Sequence, residues 1–428
     1  METERHSGRT PWLFPLFFVL VAIASFDFLM SVDYVERKDQ TTEAKLEESI
    51  SRTESGNAVR QAALLALLVT AGAVVFQERK RIVVRSGLAA AVLLFTVWAC
   101  ASILWSHDAP LTIRRVAILC ILLLTSLAMG ARFSTDSILR FGFWAGAVTI
   151  AVGLATELAL GTFQPWDPEY RFAGIMNPIF QGAHCGMTAL CALALQRTSS
   201  RRFLYLVIAA LALVFMLLTR SRGPIGATAV AIVVYGSLTS PGVRRAAQLG
   251  LVALVLVLPF TSARQDLLVG THSAMLAGRS IELGYEMQGR DALWTECMKY
   301  VSRRPLLGYG YDSFWTRDVT FAVTDASGFT SQHTHNAFLD LTLGVGLPGM
   351  GVFVAIIAIA MLQLQNLFRS SGNHCYACAA ALVVLYAIHN IFVSVQLAVQ
   401  LQTLVVTALV MKVAFANKAT DSEDAAYG

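Results

Sequence analysis

Runs of about twenty apolar residues recur along almost the whole of this 428-residue chain, separated by short polar connections. In lipid every backbone amide and carbonyl must be satisfied within the chain, so such runs can fold only as helices packed side by side. The chain is 56% hydrophobic and only 14% charged, well below the quarter or so typical of a soluble domain, which excludes an ordinary water-soluble enzyme. The expected class is therefore all-α: a polytopic membrane protein of about twelve transmembrane helices, with no nucleic-acid partner.

The runs fall at 11–30, 59–77, 86–104, 116–131, 141–160, 178–195, 203–218, 224–238, 249–263 and 336–364. The first is read as an uncleaved membrane helix. A final block, 376–415, would make a helix of about 60 Å at 1.5 Å per residue, about twice a bilayer core. It is therefore split in two, with the turn expected around 394–402, where Gln396, Gln400 and Gln402 cluster. The chain thus divides into helices one to nine (1–260), a polar segment (261–334), and helices ten to twelve with a tail (335–428). The seven cysteines lie mostly in apolar runs, so no disulfide framework is implied.

Basic residues set the expected orientation. Arg79-Lys80-Arg81 with Arg85, Arg132 and Arg140, Arg197 with Arg201-Arg202, Arg244-Arg245 and Arg369 occupy alternate short connections. These belong in the cytoplasm with both termini. Segment 31–58, with seven acidic against four basic residues, then lies outside together with 261–334. Arg114-Arg115, Arg171, Arg220, Arg222 and Arg290 break the rule by falling on the outer side. Basic residues resist translocation, so as a set they point to an anionic ligand, although a single arginine could as easily pair with a carboxylate or a lipid phosphate.

The long outer segment ends in Gln332-His333-Thr334-His335-Asn336, where the sequence turns apolar again. Histidine accepts protons near neutral pH, and nearby arginines favour its neutral form. A His-x-His pair invites a metal, but no Asp, Glu or Cys stands beside it at ligand spacing. Upstream, Leu293, Trp294, Cys297, Met298 and Val301 share one helical face. That spacing sets Arg290 at a helix start, where amide groups and a positive dipole end would add to its guanidinium in binding a phosphate. The competing reading is a surface ion pair with Asp291 or Glu286. Arg222 follows a tight turn fixed by Gly223-Pro224. Arg171 sits among Asp167 and Glu169, either of which could neutralise it. The Cys375-x-x-Cys378 pair reads as structural, and the buried His389-Asn390 pair either lines a site or ties helices together.

Taken in order, Arg290…Trp294…Pro305-x-x-Gly308-x-Gly310, His335-Asn336 and Gly344-x-Gly346-x-x-Gly349 resemble the O-antigen ligase and polysaccharide polymerase family of bacterial envelopes. Trp105-Ser106-His107-Asp108 before Arg114-Arg115, Arg171-x-x-Gly174 and Ser221-Arg222-Gly223 are similar to it as well, so the resemblance runs from Trp98 to His389. It implies a large periplasmic loop between helices nine and ten. It also implies metal-independent, cofactor-free transfer of a glycan from an undecaprenyl-pyrophosphate donor to a sugar hydroxyl, on lipid A core or on another lipid-linked glycan. The family's essential arginines match Arg222 and Arg290, with Arg171 in support, and its essential histidine matches His335. His333 and Asn336 are expected beside them. Segment 31–58 has no counterpart in the pattern.

On this reading the arginines hold the departing pyrophosphate by bidentate hydrogen bonds, and His335 takes the acceptor proton in an inverting displacement. Membrane lipids surround the body. The motifs do not separate a ligase from a polymerase. A transporter would instead show two similar halves about a central cytoplasmic loop, and no such repeat is visible.

Overall fold

The computed structural model describes residues 12–25, 57–84, 86–249, 282–394 and 398–415, with only the backbone given for 282–289. Segment 31–56, the expected ninth helix beyond residue 249 and the first part of the polar segment, 261–281, lie outside the described residues. The described residues are helical and form no strand. The helices labelled below are α1 Leu13–Ala24, α2 Ala58–Glu78, α3 Gly87–Ala101, α4 Ala109–Arg132, α5 Thr135–Ala159, α6 Pro178–Leu195 and α7 Arg202–Leu218. They continue with α8 Arg222–Thr239, α9 Glu282–Arg303, α10 Arg317–Ser327, α11 Ala337–Ser371, α12 His374–Phe392 and α13 Leu401–Phe415. Seven of them are long and apolar enough to cross a membrane, and α1, α7 and α13 are shorter apolar helices.

Side chains at the helix starts explain several of the boundaries. Asn57, Ser86, Asp108, Ser134, Asn177, Asn336 and Asn373 each accept a hydrogen bond from a first-turn amide that has no partner within the helix. The last apolar block is divided as its length requires: α12 ends at Phe392 and α13 begins at Leu401. Helices α6 and α12 form the centre, where Ala189, Leu190, Cys191, Ala380, Leu382 and Leu385 are fully buried. Cys378 belongs to that packing, its Sγ donating to the Leu190 carbonyl at 3.4 Å, and Asn390 Nδ2 donates to the Tyr386 carbonyl at 2.8 Å.

The bundle has two distinct ends. At one, Arg81 and Arg132 both pair with Glu78, Ser86 Oγ donates to the Ala414 carbonyl at 2.8 Å, and Lys412 Nζ donates to the Phe133 carbonyl at 3.2 Å. At the other, Trp105 Nε1 donates to the Leu307 carbonyl at 2.7 Å and the His107 amide to the Tyr309 carbonyl at 3.0 Å. The arginine-rich connections after α2 and α4 and the histidine segment before α11 therefore cap opposite ends of the helices.

The described part of the polar segment is a small helical layer. Leu293, Cys297 and Val301 of α9 pack with Phe314, with Val323 of α10 and with Leu343 of α11. The apolar spacing anticipated this face of α9, except that Met298 is half exposed. Helix α10 was not anticipated.

The layer is held by a break in α11. Gly346 (φ 72°, ψ 177°) interrupts the helix, and the segment after Pro305 docks into the gap. Tyr309 N donates to Leu343 O at 2.8 Å and Gly310 N to Gly344 O at 2.9 Å, while Leu347 N donates to Pro305 O at 2.8 Å. Trp98 Nε1 satisfies Val345 O at 2.8 Å. The two glycine motifs are therefore partners: a Cβ on Gly346 would stand 2.2 Å from Leu306 O, and one on Gly308 would stand 2.6 Å from Gly344 O. At about 1.5 Å per residue, the helix beyond the break rises about 37 Å, enough alone to span a hydrocarbon core. Gly346→Ala places a Cβ both in the left-handed region and against backbone, and is expected to cost at least about 1–3 kcal/mol. A markedly lower melting temperature of the purified protein in detergent checks this.

Candidate functional site

Helix α11 starts at Ala337, with Asn336 as its cap: Asn336 Oδ1 accepts from Phe338 N at 3.0 Å and from Leu339 N at 3.3 Å. His335 therefore precedes the helix rather than beginning it. Its backbone is left-handed (φ 56°), and the only other non-glycine residues so placed among those described are Arg220 and Asp312. Such a conformation costs on the order of 1 kcal/mol and persists only where its surroundings fix it.

The surroundings do fix it. Trp294 Nε1 of α9 donates to the Thr334 carbonyl at 2.7 Å, and the Thr334 amide donates to Asp340 Oδ1 at 3.1 Å. Asp340 also accepts from Trp315 Nε1 at 3.0 Å and from the Ser394 hydroxyl beyond α12. Asp340 thus acts through the backbone at Thr334, so its five-residue offset from His335 does not matter. An acid in the first turn of an otherwise apolar helix was the available sign of this role.

The two histidines touch. Their ring centroids are 4.1 Å apart, and Phe329 meets His335 edge-on at 6.0 Å. Between them lies Ser331, which the sequence reading passed over. Its Oγ is 2.9 Å from His333 Nδ1 and 3.4 Å from His335 Nε2. Burial, then His333, then the Arg290 guanidinium push the His335 pKa down to about 3, so its imidazole is neutral at ordinary pH. The arginine effect expected from the sequence is present, but burial is the larger cause.

Arg290 acts on His335 from a different place than expected. Helix α9 runs from Glu282, so Arg290 lies inside it and not at its start. The apolar spacing marked only the packed part of a longer helix. No amide groups of a helix end lie at Arg290, and any anion binding there rests on the guanidinium.

Arg171 and Arg222 meet at a second turn. Arg171 Nε donates to Thr219 O at 3.1 Å and its Nη2 to Ser221 Oγ at 3.0 Å, while Arg222 opens α8. Glu157 accepts the Ala173 and Gly174 amides at 2.9 and 2.7 Å and holds that connection in place. This turn and the histidine segment lie at the same end of the bundle, bridged by the end of α12. A Cβ on Gly223 would meet Phe392 Cβ at 3.3 Å, and Ser394 reaches Asp340. Arg171 reaches the Arg222 turn through hydrogen bonds, while Arg290 bears on His335 through its charge.

Residues 207–354 match the family model described as O-antigen ligase, a span that holds Arg222, Arg290 and the histidine segment. Over 300 residues the chain is 25% identical to an exopolysaccharide production protein, ExoQ, of Rhizobium meliloti (strain 1021), covering 66% of this chain and 67% of that one. The chain resembles both. These likenesses support an O-antigen ligase and polysaccharide polymerase family. They fit a multi-pass membrane protein with a ligase- or polymerase-like role and suggest a glycosyl-transferring enzyme.

Two outcomes test the site's construction. Asp340→Ala removes an acceptor shared by Thr334, Trp315 and Ser394, with an expected loss of about 3 kcal/mol, visible in thermal melts and tryptophan fluorescence. His335 has its folded pKa lowered below the unfolded value, so the unfolded chain binds more protons between about pH 6.5 and 3. The stability from its neutral form is complete above that window and is lost as pH falls through it. Acidification from pH 7 to 4 is expected to lower the melting temperature of the wild type more than that of His335→Gln.

Proposed function

We propose that the protein transfers a glycan from a polyprenyl-pyrophosphate carrier, undecaprenyl pyrophosphate in a bacterial inner membrane, to an acceptor sugar hydroxyl at the periplasmic face. The observation that carries this reading is a neutral imidazole, His335, set immediately before a membrane helix, within reach of the Arg290 charge and at the end of the bundle opposite the arginine-rich connections. The basic connections favour a cytoplasmic position for that opposite end, which leaves the histidine segment outside. Such a site suits an attack by an alcohol on a carbon bearing an anionic leaving group.

His335 takes the proton as the acceptor oxygen bonds to the anomeric carbon. The bond to the pyrophosphate breaks with inversion, and the leaving group departs with the electron pair. Arg290 and Arg222, with Arg171 steadying the second turn, neutralise that charge as it develops. The planar guanidinium forks match phosphate oxygens as an ammonium group cannot. In this reading no metal or cofactor takes part. The twelve-helix topology and the outer placement of 261–334 belong to the same proposal.

The acceptor is lipid A core if the protein acts as a ligase, which the description of the matched family favours. The printed name of the Rhizobium relative, an exopolysaccharide production protein, favours the second reading, in which the acceptor is another lipid-linked glycan and the protein is a polymerase.

Reconstituted full-length protein, given an undecaprenyl-pyrophosphate oligosaccharide and each acceptor in turn, is expected to extend one of them. His335→Ala is expected to reduce transfer by about 10²–10⁴-fold, and Arg290→Lys to fail to restore the loss seen in Arg290→Ala. Full transfer by His335→Ala would remove the assigned base. Accumulation of substrate inside vesicles without a glycan product would favour a transporter instead.

A further inference from the structure

We infer that Ser331 and His333 form a relay that carries the acceptor proton away from His335, so that the charge produced in each turnover comes to rest on His333. The inference depends on the glycan-transfer reading above but goes beyond it by assigning two residues that act through the base.

The geometry is specific. Ser331 is buried, and its hydroxyl lies between His333 Nδ1 at 2.9 Å and His335 Nε2 at 3.4 Å. The hydroxyl donates to the His333 carbonyl at 2.6 Å, and its oxygen accepts the His333 amide at 3.2 Å, so the loop closes on itself and fixes all three residues. Because His335 Nε2 faces Ser331, its Nδ1 is the nitrogen left for the acceptor hydroxyl.

The charges around the rings differ. His335 faces Arg290 and its own neighbour His333, both of which disfavour a proton on it. His333 lies within electrostatic reach of Asp312 and Asp340. Arg115, 3.4 Å from Asp312, and Arg60 lie beyond them and moderate that attraction. A proton gained at His335 is disfavoured there, and the Ser331 hydroxyl offers it a path to the ring beside the two acids.

The step balances. The acceptor O–H bond breaks and its proton goes to His335 Nδ1. The proton on His335 Nε2 passes to Ser331 Oγ, and the hydroxyl rotates from the His333 carbonyl so that its original proton passes to His333 Nδ1. His335 ends neutral, the serine is restored and His333 is an imidazolium. It returns its proton to water after the pyrophosphate has left. In such a scheme Ser331 and His333 are positioning residues, and His335 alone touches the substrate.

The test uses full-length protein in phospholipid vesicles, with an undecaprenyl-pyrophosphate oligosaccharide as donor and the two acceptors above. Ser331→Ala and His333→Gln are expected to lower kcat at least about tenfold with little change in KM, and Ser331→Thr, which keeps the hydroxyl, to restore most of it. The acid limb of kcat/KM, which reports the free enzyme, is compared between the wild type and these variants. In Ser331→Ala, which keeps His333, it is expected to move to lower pH, because only the depressed imidazole of His335 remains, a shift that a packing defect would not produce. Thermal melts establish that each variant is folded. A wild type with no transfer to either acceptor would overturn both the function and the relay. An active wild type, a dead His335→Ala, and Ser331→Ala with unchanged kcat and acid limb would overturn the relay alone.

Discussion

The structure depends on a membrane helix that is broken so that another piece of backbone can bond to it. At Gly346 the helical ladder of α11 opens, and its freed groups find partners in the segment after Pro305 and in the Trp98 indole. Next to lipid, each of these groups left alone would cost several kcal/mol, so the break and the docked segment can exist only together. Glycine is required on both sides because the contact is between backbones, with no room for a Cβ at Gly308 or Gly346. The contact fixes where the small helical layer of α9 and α10 sits on the bundle. It also carries the chain directly into Tyr311, Asp312 and Ser313, where Ser313 Oγ accepts from Thr112 Oγ1 at 2.6 Å and Ser102 Oγ accepts from Tyr311 N at 2.9 Å.

From that anchor the histidine segment is held from three directions. Trp294 comes from α9, Trp315 leads into α10 and Ser394 lies beyond the end of α12, and all of them converge through Thr334 and Asp340. None of these bonds goes to an imidazole. The scaffold fixes the backbone and leaves the rings to each other and to Ser331. The left-handed backbone at His335 is the strain that such restraint sustains.

Much of this was legible in the sequence, for identifiable reasons. Apolar runs report burial in lipid, and the length of 376–415 alone required the turn between Phe392 and Leu401. Alternating arginines report the end of the bundle to which each connection belongs. The glycine motifs were recognisable as a resemblance, but their pairing was not, since nothing in spacing shows that one backbone segment enters another. Arg290 was misplaced because periodicity detects only the packed part of a helix, and α9 begins about three turns before its apolar face. Ser331 carried no signal, as a lone serine in a polar loop resembles many others. Asp340 did carry one, as an acid in the first turn of an apolar helix, but spacing does not show a contact that runs through the backbone at Thr334.

The electrostatics of His335 raise the question of how a ring depressed to about 3 can act as a base. Burial and two cationic or polar neighbours set that value in the free protein, and each is sensitive to what binds. A pyrophosphate brought between Arg290 and the imidazole would offset the guanidinium and add its own negative charge, both of which raise the basicity of the ring. The site would then be a weak base when empty and a stronger one only with its donor in place. Water, the ever-present competing acceptor, would meet the weak form, and the sugar hydroxyl the strong one. Coupling base strength to donor binding in this way lets a protein that faces bulk water hold an activated glycan without hydrolysing it. It also explains why a guanidinium and a general base belong side by side despite their mutual repulsion.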